Sequence, residues 1–181
     1  MRLRTVLEKD ATASARLRLH QTRGLRYDLS AFLAHSGDSW FWLLGLFILW
    51  LWGSRQWHAW AALMAAGIVF QAVVVLGIKL AVRRRRPEGE WGAIYRNTDP
   101  HSFPSGHAAR AVMLVVVAWG LGPSWLAFVL LLWAPLVSLA RVVMGVHYLS
   151  DILAGMAVGA LVGLGVLLVH PLLFSLIPFV F

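Results

Sequence analysis

The chain has 181 residues, of which 60% are hydrophobic and 13% are charged, and its mean hydropathy is +0.73. A soluble domain of this length cannot bury so much apolar surface, so the composition excludes an ordinary soluble protein and makes lipid part of the solvent. The formal net charge of +8 fits the basic flanks of a membrane protein better than a nucleic-acid surface, and no nucleic-acid partner is expected. Cysteine is absent, which excludes disulfide and thiolate chemistry.

The predicted elements begin with a basic amino-terminal segment, residues 1–37, whose amphipathic pattern predicts a helix lying on the membrane surface. Residues 38–181 are expected to form one membrane-embedded domain. Apolar runs predict five transmembrane helices, at residues 39–53, 59–82, 111–122, 125–140 and 152–169. The apolar tail that follows contains two prolines, which are expected to break it. The expected fold class is therefore all-α: a polytopic membrane bundle of about five transmembrane helices plus an amino-terminal amphipathic helix.

Polar residues concentrate in two connections, residues 83–106 and 141–151. Two spans separate these connections, so both face the same aqueous phase. The interiors of the five spans carry no charged residue, whereas a proton- or ion-coupled transporter normally keeps ionisable groups at mid-membrane depth. The pattern therefore places the chemistry of this protein at one membrane surface.

The first polar block, "KLAVRRRRP", runs from Lys79 to Pro87. Lys79, Arg83 and Arg86 are spaced to share one helix face, with Lys79 and Arg86 about 10 Å apart along the axis. Pro87 is expected to end this helix. Two long cationic side chains can then close on one phosphate from both sides. Alternatively, the arginines at 83–85 are a topology signal that contacts lipid headgroups, and Lys79 extends to the interface.

The second block is "PSGH", residues 104–107, directly before a helix. Ser105 and Gly106 would present backbone N–H groups at a helix N-terminus, which favours anion binding. His107 would then lie at the rim of this site, where it can transfer a proton. The alternative is a simple helix cap with an incidental histidine.

The third block is "RVVMGVHYLSD", which contains Arg141, His147 and Asp151. A carboxylate four residues after a histidine can fix the ring tautomer and make the other ring nitrogen a better nucleophile. Gly145 is expected to end the fourth span, and Ser150 to cap the fifth. The alternative is a surface histidine near an acidic helix start.

Together the three blocks resemble the motifs of the type 2 phosphatidic acid phosphatase superfamily of membrane lipid phosphate phosphatases. The matching positions are Lys79 and Arg86-Pro87, then Pro104 to His107, then Arg141, His147 and Asp151. One position departs from the pattern, because Ala140 stands where the family usually has serine, and the hydrogen bond of that serine is lost. Many bacterial members also have six spans, where five are counted here.

The resemblance implies a mechanism and a set of residue roles. Lys79, Arg86, Arg141 and the N–H groups of Ser105 and Gly106 would bind the phosphate, and His147, oriented by Asp151, would attack phosphorus. His107 would protonate the leaving group and then activate water. No clustered carboxylates accompany the blocks, so neither a metal nor another cofactor is expected.

Three functions remain open from the sequence. The first is a phosphatase that hydrolyses the terminal phosphate of a lipid phosphate or diphosphate, of polyprenyl or phosphatidylglycerophosphate type. The second is a lipid phosphotransferase that uses the same phosphohistidine, and the third is a non-catalytic lipid-binding protein. The vanadate-dependent haloperoxidases of the superfamily are soluble, unlike this chain. Lipid specificity is expected to depend on the groove between the spans and on the loop at 88–103.

The distribution of basic residues predicts the orientation in the membrane. Seven of the sixteen Lys and Arg residues lie in the first 26 positions, and five lie between positions 83 and 96. The amino-terminal segment and the loop at 83–106 lie on the same side, so the positive-inside rule places both in the cytoplasm. We therefore expect a multi-pass protein of the cell (inner) membrane with its active site on the cytoplasmic side.

Overall fold

A computed structural model describes residues 2–19, 23–88 and 99–180 of the chain. Within these residues the chain forms seven α-helices. They are α1 (Arg2–Leu17), α2 (Leu25–Ser36), α3 (Ser39–Trp52), α4 (Arg55–Val82), α5 (Gly106–Leu121), α6 (Ser124–Val143) and α7 (Leu149–Leu176). Each of the five predicted spans coincides with one of the helices α3 to α7, so the all-α bundle is confirmed.

The helices differ in whether they are long enough to cross a bilayer. Among the described residues, α4, α6 and α7 are long and apolar enough to do so, and α2 with α3 forms a fourth candidate span bent by 57°. Helix α5 is apolar but has only 16 residues. Residues 25–36 of the predicted surface segment form α2, which is joined through this bend to α3.

Glycines bring α5 and α7 close together, and this contact positions the polar connections. Gly155, Gly159 and Gly163 recur every fourth residue of α7 and so share one helix face. A Cβ atom at Gly159 would collide with the backbone carbonyl of Ala109, and one at Gly155 with the carbonyl of Ser105. The absence of these side chains lets the start of α5 lie directly against the start of α7.

The amino-terminal helices pack against the polar end of the bundle. Ala34 of α2 lies in a buried cluster with Ala140 and Met144 at the end of α6. Ala140, where the family motif usually has serine, is therefore a packing position for α2. Helix α1 contacts α6 and α7, and the Leu19 N–H donates to the Val143 carbonyl at 3.0 Å.

Three local expectations were wrong. Helix α4 ends at Val82, with Arg83 in the left-handed conformation, so Arg83 and Arg86 do not continue the helix face of Lys79. Pro171 does not break α7. Proline has no N–H to donate to the Leu167 carbonyl, and Nδ1 of the His170 ring lies 2.6 Å from that carbonyl instead.

The third correction concerns the start of α7. Helix α7 begins at Leu149, so Ser150 lies inside the first turn instead of capping it. The Asp151 carboxylate accepts a hydrogen bond from the Tyr148 N–H at 2.9 Å and closes this turn. Gly145, with φ of 68°, follows the end of α6 as expected, since its left-handed conformation is costly for other residues.

Candidate active site

Two cations from the first block line the same cavity. Lys79 lies on the last turn of α4 and Arg86 lies in the loop beyond it, and both side chains are buried. Although the loop turns away from the helix axis, both side chains reach the same carboxylate. Arg86 Nη2 lies 2.7 Å from Asp99 Oδ2, and Lys79 Nζ contacts the same oxygen. The chain thus brings these cations together by a loop and not by a shared helix face.

Asp99 places an anion between these two cations. Burial opposes the charge of its carboxylate, but the hydrogen bond from Lys79 and the charge of Arg86 outweigh burial and lower the pKa of Asp99. Arg86 Nε also donates to the Asp99 backbone carbonyl at 2.7 Å. No sequence pattern singled out Asp99. The position of its carboxylate marks where these cations can bind a negatively charged group.

His147 lies between the cations and Asp151. Its Nε2 is 3.3 Å from Arg86 Nη1, and its Nδ1 is 3.5 Å from Asp151 Oδ2, the outer limit of a hydrogen bond. Asp151 is fully buried in the first turn of α7, and Arg141 is buried near the end of α6. One ring nitrogen therefore faces the carboxylate and the other faces the cations, as a nucleophilic histidine requires.

The surroundings of His147 keep its ring neutral. Burial, followed by the charges of Arg86 and Arg141, lowers the pKa of His147 to about 3, although Asp151 acts in the opposite direction. An unprotonated imidazole retains the lone pair that a nucleophile needs, so His147 is ready to react at neutral pH without first losing a proton.

His107, on the first turn of α5, has a carboxylate partner that sequence reasoning missed. Its Nε2 lies 2.7 Å from Oδ1 of Asp38, which joins α2 to α3. The other oxygen of Asp38 lies 3.1 Å from Nδ1 of His35. Arg110 holds this corner by donating to the Gly37 carbonyl. A histidine and an aspartate 69 positions apart give no sequence spacing by which to pair them.

The second block contributes less to the cavity than expected. Ser105 is fully buried; its N–H donates to the Asp151 carbonyl at 2.9 Å, and its Oγ accepts from the Ala108 N–H at 3.4 Å. The Ser105 N–H therefore supports the Asp151 backbone, and a role for Ser105 in binding phosphate stays a prediction. Gly106 lines the cavity at the start of α5 and keeps its predicted place.

Arg84 is a third residue of this site, after Asp99 and Asp38, that the sequence patterns did not single out. Its Nη1 lies 2.8 Å from Asp151 Oδ1, on the carboxylate that faces His147. For Arg84 and its neighbours the sequence predicts only a topology signal or a headgroup contact. The ion pair depends on the left-handed turn at Arg83, which the pattern of the block did not reveal.

The predicted residues converge on one cavity of about 350 Å³. Its lining includes Asp99 and six of the eight predicted site residues: Lys79, Arg86, Gly106, His107, Arg141 and His147. Exposed apolar residues of α4, Leu76 and Leu80, form another part of its wall. Among the described residues no group of three His, Asp or Glu side chains is arranged to hold a metal ion. Residues 89–98 of the predicted specificity loop lie outside the described residues.

The sequence profile of the PAP2 superfamily matches residues 57–174. The chain belongs to the PAP2 superfamily. It is 38% identical over 139 residues to the decaprenylphosphoryl-5-phosphoribose phosphatase of Mycobacterium tuberculosis, covering 72% of this chain and 73% of the relative. It is 31% identical over 113 residues to the lipid A 1-phosphatase of Porphyromonas gingivalis, covering 61% of this chain and 24% of the relative.

Solved structures share the fold of this PAP2 protein. The PAP2-type phosphatidylglycerolphosphate phosphatase of Bacillus subtilis superimposes with a TM-score of 0.73 at 23% identity, covering 90% of this chain and 84% of that structure. Aquifex aeolicus LpxE gives a TM-score of 0.62 at 24% identity, covering 80% and 87%. With the family assigned, the chain is a membrane lipid phosphate phosphatase of the PAP2 type.

Proposed function

We propose that this PAP2 phosphatase hydrolyses a polyprenyl-linked phosphate monoester through a phosphohistidine on His147. The observation that carries the proposal is the shape of the cavity. A cationic end formed by Lys79, Arg86 and Arg141 adjoins His147, and exposed α4 side chains form an apolar wall of the same cavity. A lipid phosphate combines these two chemistries in one molecule.

In the first step, Nε2 of His147 attacks phosphorus while the bond from phosphorus to the lipid oxygen breaks. The neutral ring supplies the electron pair, and Asp151 accepts the Nδ1–H as the ring becomes positively charged. Lys79, Arg86 and Arg141 stabilise the negative charge on the three phosphoryl oxygens. No metal is needed for this charge compensation.

His107 transfers the protons. Asp38 accepts a hydrogen bond from Nε2–H of His107, so Nδ1 is the ring atom that exchanges a proton with the substrate. In the first step His107 acts as an imidazolium: its Nδ1 proton passes to the departing lipid alkoxide while Asp38 keeps the Nε2–H. In the second step the neutral His107 ring takes a proton from water, the water oxygen bonds to phosphorus, and the bond from phosphorus to Nε2 of His147 breaks, which releases inorganic phosphate and restores neutral His147.

The proposed class of lipid is based on sequence similarity and on the lining of the cavity. The mycobacterial relatives are named as phosphatases of decaprenylphosphoryl-5-phosphoribose, a phosphorylated sugar on a polyprenyl lipid. The match to the M. tuberculosis protein covers nearly three quarters of both chains. A polyprenyl phosphosugar is therefore the first substrate to test, ahead of phosphatidylglycerophosphate and lipid A.

We further propose that the active site faces the cytoplasm, from the distribution of basic residues. Ser54 and Arg85 are exposed and lie just beyond opposite ends of the 28-residue helix α4, about 40 Å apart along its axis. Because the natural chain has no cysteine, Ser54→Cys and Arg85→Cys can be probed singly. In intact cells, an impermeant maleimide should label Ser54→Cys and spare Arg85→Cys. The reverse pattern would place the site outside.

The decisive experiment measures free phosphate released by the purified full-length protein from each candidate lipid in EDTA. We expect release from the polyprenyl phosphosugar, inhibition by vanadate, and loss of activity in His147→Ala. Phosphate recovered on a second lipid instead of in solution would indicate a phosphotransferase. Release that requires a divalent ion, or a His147→Ala variant with normal rates, would contradict the mechanism.

A further inference from the structure

Arg84 connects helix α1 to the start of α7, where Asp151 lies. Its Nη1 donates to Asp151 Oδ1 at 2.8 Å and to Ser150 Oγ at 2.6 Å, and its Nη2 donates to Asp10 Oδ2 at 2.7 Å. Its guanidinium carbon also lies 3.9 Å from the centre of the Tyr148 ring. The side chain is only 16% exposed. Contacts from α1, from the loop and from α7 therefore fix this guanidinium in one orientation.

Asp10 of α1 binds the same part of the site from the other side. Its Oδ1 accepts from the Ser150 N–H at 3.1 Å, and its Oδ2 accepts from Ser150 Oγ at 2.5 Å. The first N–H groups of a helix have no partner within the helix, so this carboxylate supplies an acceptor for the N-terminus of α7. One turn further along α1, Ser14 Oγ accepts from the Leu149 N–H at 2.9 Å.

The two oxygens of Asp151 are divided between these groups and the nucleophile. Oδ1 binds Arg84, whereas Oδ2 accepts from the Tyr148 N–H and faces His147 Nδ1. Asp151 is fully buried, so the carboxylate cannot turn toward water. The direction in which Oδ2 points therefore depends on what holds Oδ1.

We infer that α1 is part of the catalytic apparatus: Asp10 and Arg84 are positioning residues that hold the Asp151 carboxylate and, through it, the ring of His147. The inference rests on the proposed role of His147 as nucleophile. Arg84 lies between the matched positions Lys79 and Arg86 of the first block but is not itself one of them, and Asp10 lies outside residues 57–174 that match the superfamily profile. The amino-terminal segment thus does more than associate with the membrane surface.

A purely structural role would attach α1 to the bundle without affecting His147. Ser14 provides the matched control, because it binds the residue next to Ser150 from the same helix. Ser14→Ala should weaken the attachment of α1 as Asp10→Asn does, while leaving the contacts of Arg84 in place. The comparison separates attachment of the helix from orientation of the carboxylate.

The test uses full-length Asp10→Asn, Arg84→Gln, Arg84→Lys and Ser14→Ala in one detergent. kcat and KM on the lipid substrate, the rate of phosphohistidine formation in a single turnover, and the melting temperature are measured for each. We expect kcat and the phosphorylation rate to fall about 10–100-fold in Asp10→Asn and Arg84→Gln, by analogy with residues that orient metal ligands, with KM changed less than about threefold. Arg84→Lys should retain more activity than Arg84→Gln, because it keeps the charge.

Two further comparisons make the inference falsifiable. Because Asp10 and Arg84 bind each other and share Ser150, their effects should not be independent, and the double variant Asp10→Asn/Arg84→Gln should lose less activity than the product of the two single losses. Ser14→Ala should keep kcat within about threefold of wild type even where its melting temperature falls. Equal effects on kcat in Ser14→Ala and Asp10→Asn, or normal phosphorylation rates in Arg84→Gln, would overturn the inference.

Asp151→Asn and His147→Ala, measured in parallel, distinguish failure of this inference from failure of the proposed function. If both of these variants are inactive while Asp10→Asn and Arg84→Gln turn over normally, only the positioning role is wrong. If His147→Ala itself turns over normally, the nucleophile has been misassigned and the proposed mechanism fails first.

Discussion

Removing the Asp99 carboxylate should strengthen phosphate binding. Asp99 contacts the two cations, Lys79 and Arg86, that the proposed substrate phosphate requires. The phosphate can bind these cations only when the carboxylate leaves. The apparent affinity for phosphate is therefore reduced by the fraction of molecules in which Asp99 is bound. Asp99→Ala abolishes this competition.

The expected gain in phosphate affinity follows from the solvent exposure of the three side chains. The side chains of Lys79 and Arg86 are 8% and 1% exposed, whereas that of Asp99 is 40% exposed. Exposed ion pairs contribute about 0.2–1 kcal/mol each, and because both cations here are buried, the upper half of that range applies, which gives about 1–2 kcal/mol for the two pairs together. That difference corresponds to binding about 5–30-fold tighter.

The assay measures competitive inhibition by inorganic phosphate and by vanadate, because these constants report binding without the chemical steps. The inhibition constants should fall about 5–30-fold in Asp99→Ala and less in Asp99→Asn, which keeps an acceptor oxygen. Asp28→Ala, an exposed acid on α2, controls for the change in net charge. An unchanged or weaker affinity in Asp99→Ala would show that Asp99 organises the two cations for phosphate instead of competing with it.

Three other predictions test the rest of the site. In Asp38→Asn, turnover of the lipid phosphate should fall about 10–100-fold, whereas turnover of p-nitrophenyl phosphate should fall less, because its leaving group needs little help from His107; equal losses on both substrates would contradict the pairing. His147 is neutral when folded but binds a proton below about pH 6.5 when unfolded, so stability is lost as pH falls. It should account for about 2 kcal/mol of the loss between pH 7 and pH 5. Thermal unfolding of His147→Gln should therefore depend less on pH over that range, and an unchanged dependence would refute the neutral ring. Gly159→Ala should lower the melting temperature, since its Cβ collides with the backbone of α5, whereas Gly165→Ala, which meets nothing within 4 Å, should not.

The sequence alone determined the apolar helices of the bundle and predicted most of the proposed catalytic set. Long apolar runs have few alternatives to membrane helices, because each backbone polar group must be satisfied within the helix. His147 and Asp151 are only four residues apart, so the short turn that begins α7 keeps them near each other. Lys79 and Arg86 were recognisable because their charges interrupt or directly follow an apolar helix.

Only the tertiary structure decided which partners complete the site. Asp38 reaches His107, and Asp10 reaches Arg84, across 69 and 74 positions of sequence. These pairs depend on how α1 and α2 pack against α5, α6 and α7, and no local periodicity encodes that packing. The hydrogen-bond partner of the Ser105 N–H has the same origin. The glycines of α7 bring α5 so close that this N–H binds the Asp151 carbonyl. Local spacing fixes contacts within one turn of a helix, whereas contacts between distant segments depend on the packing of whole helices.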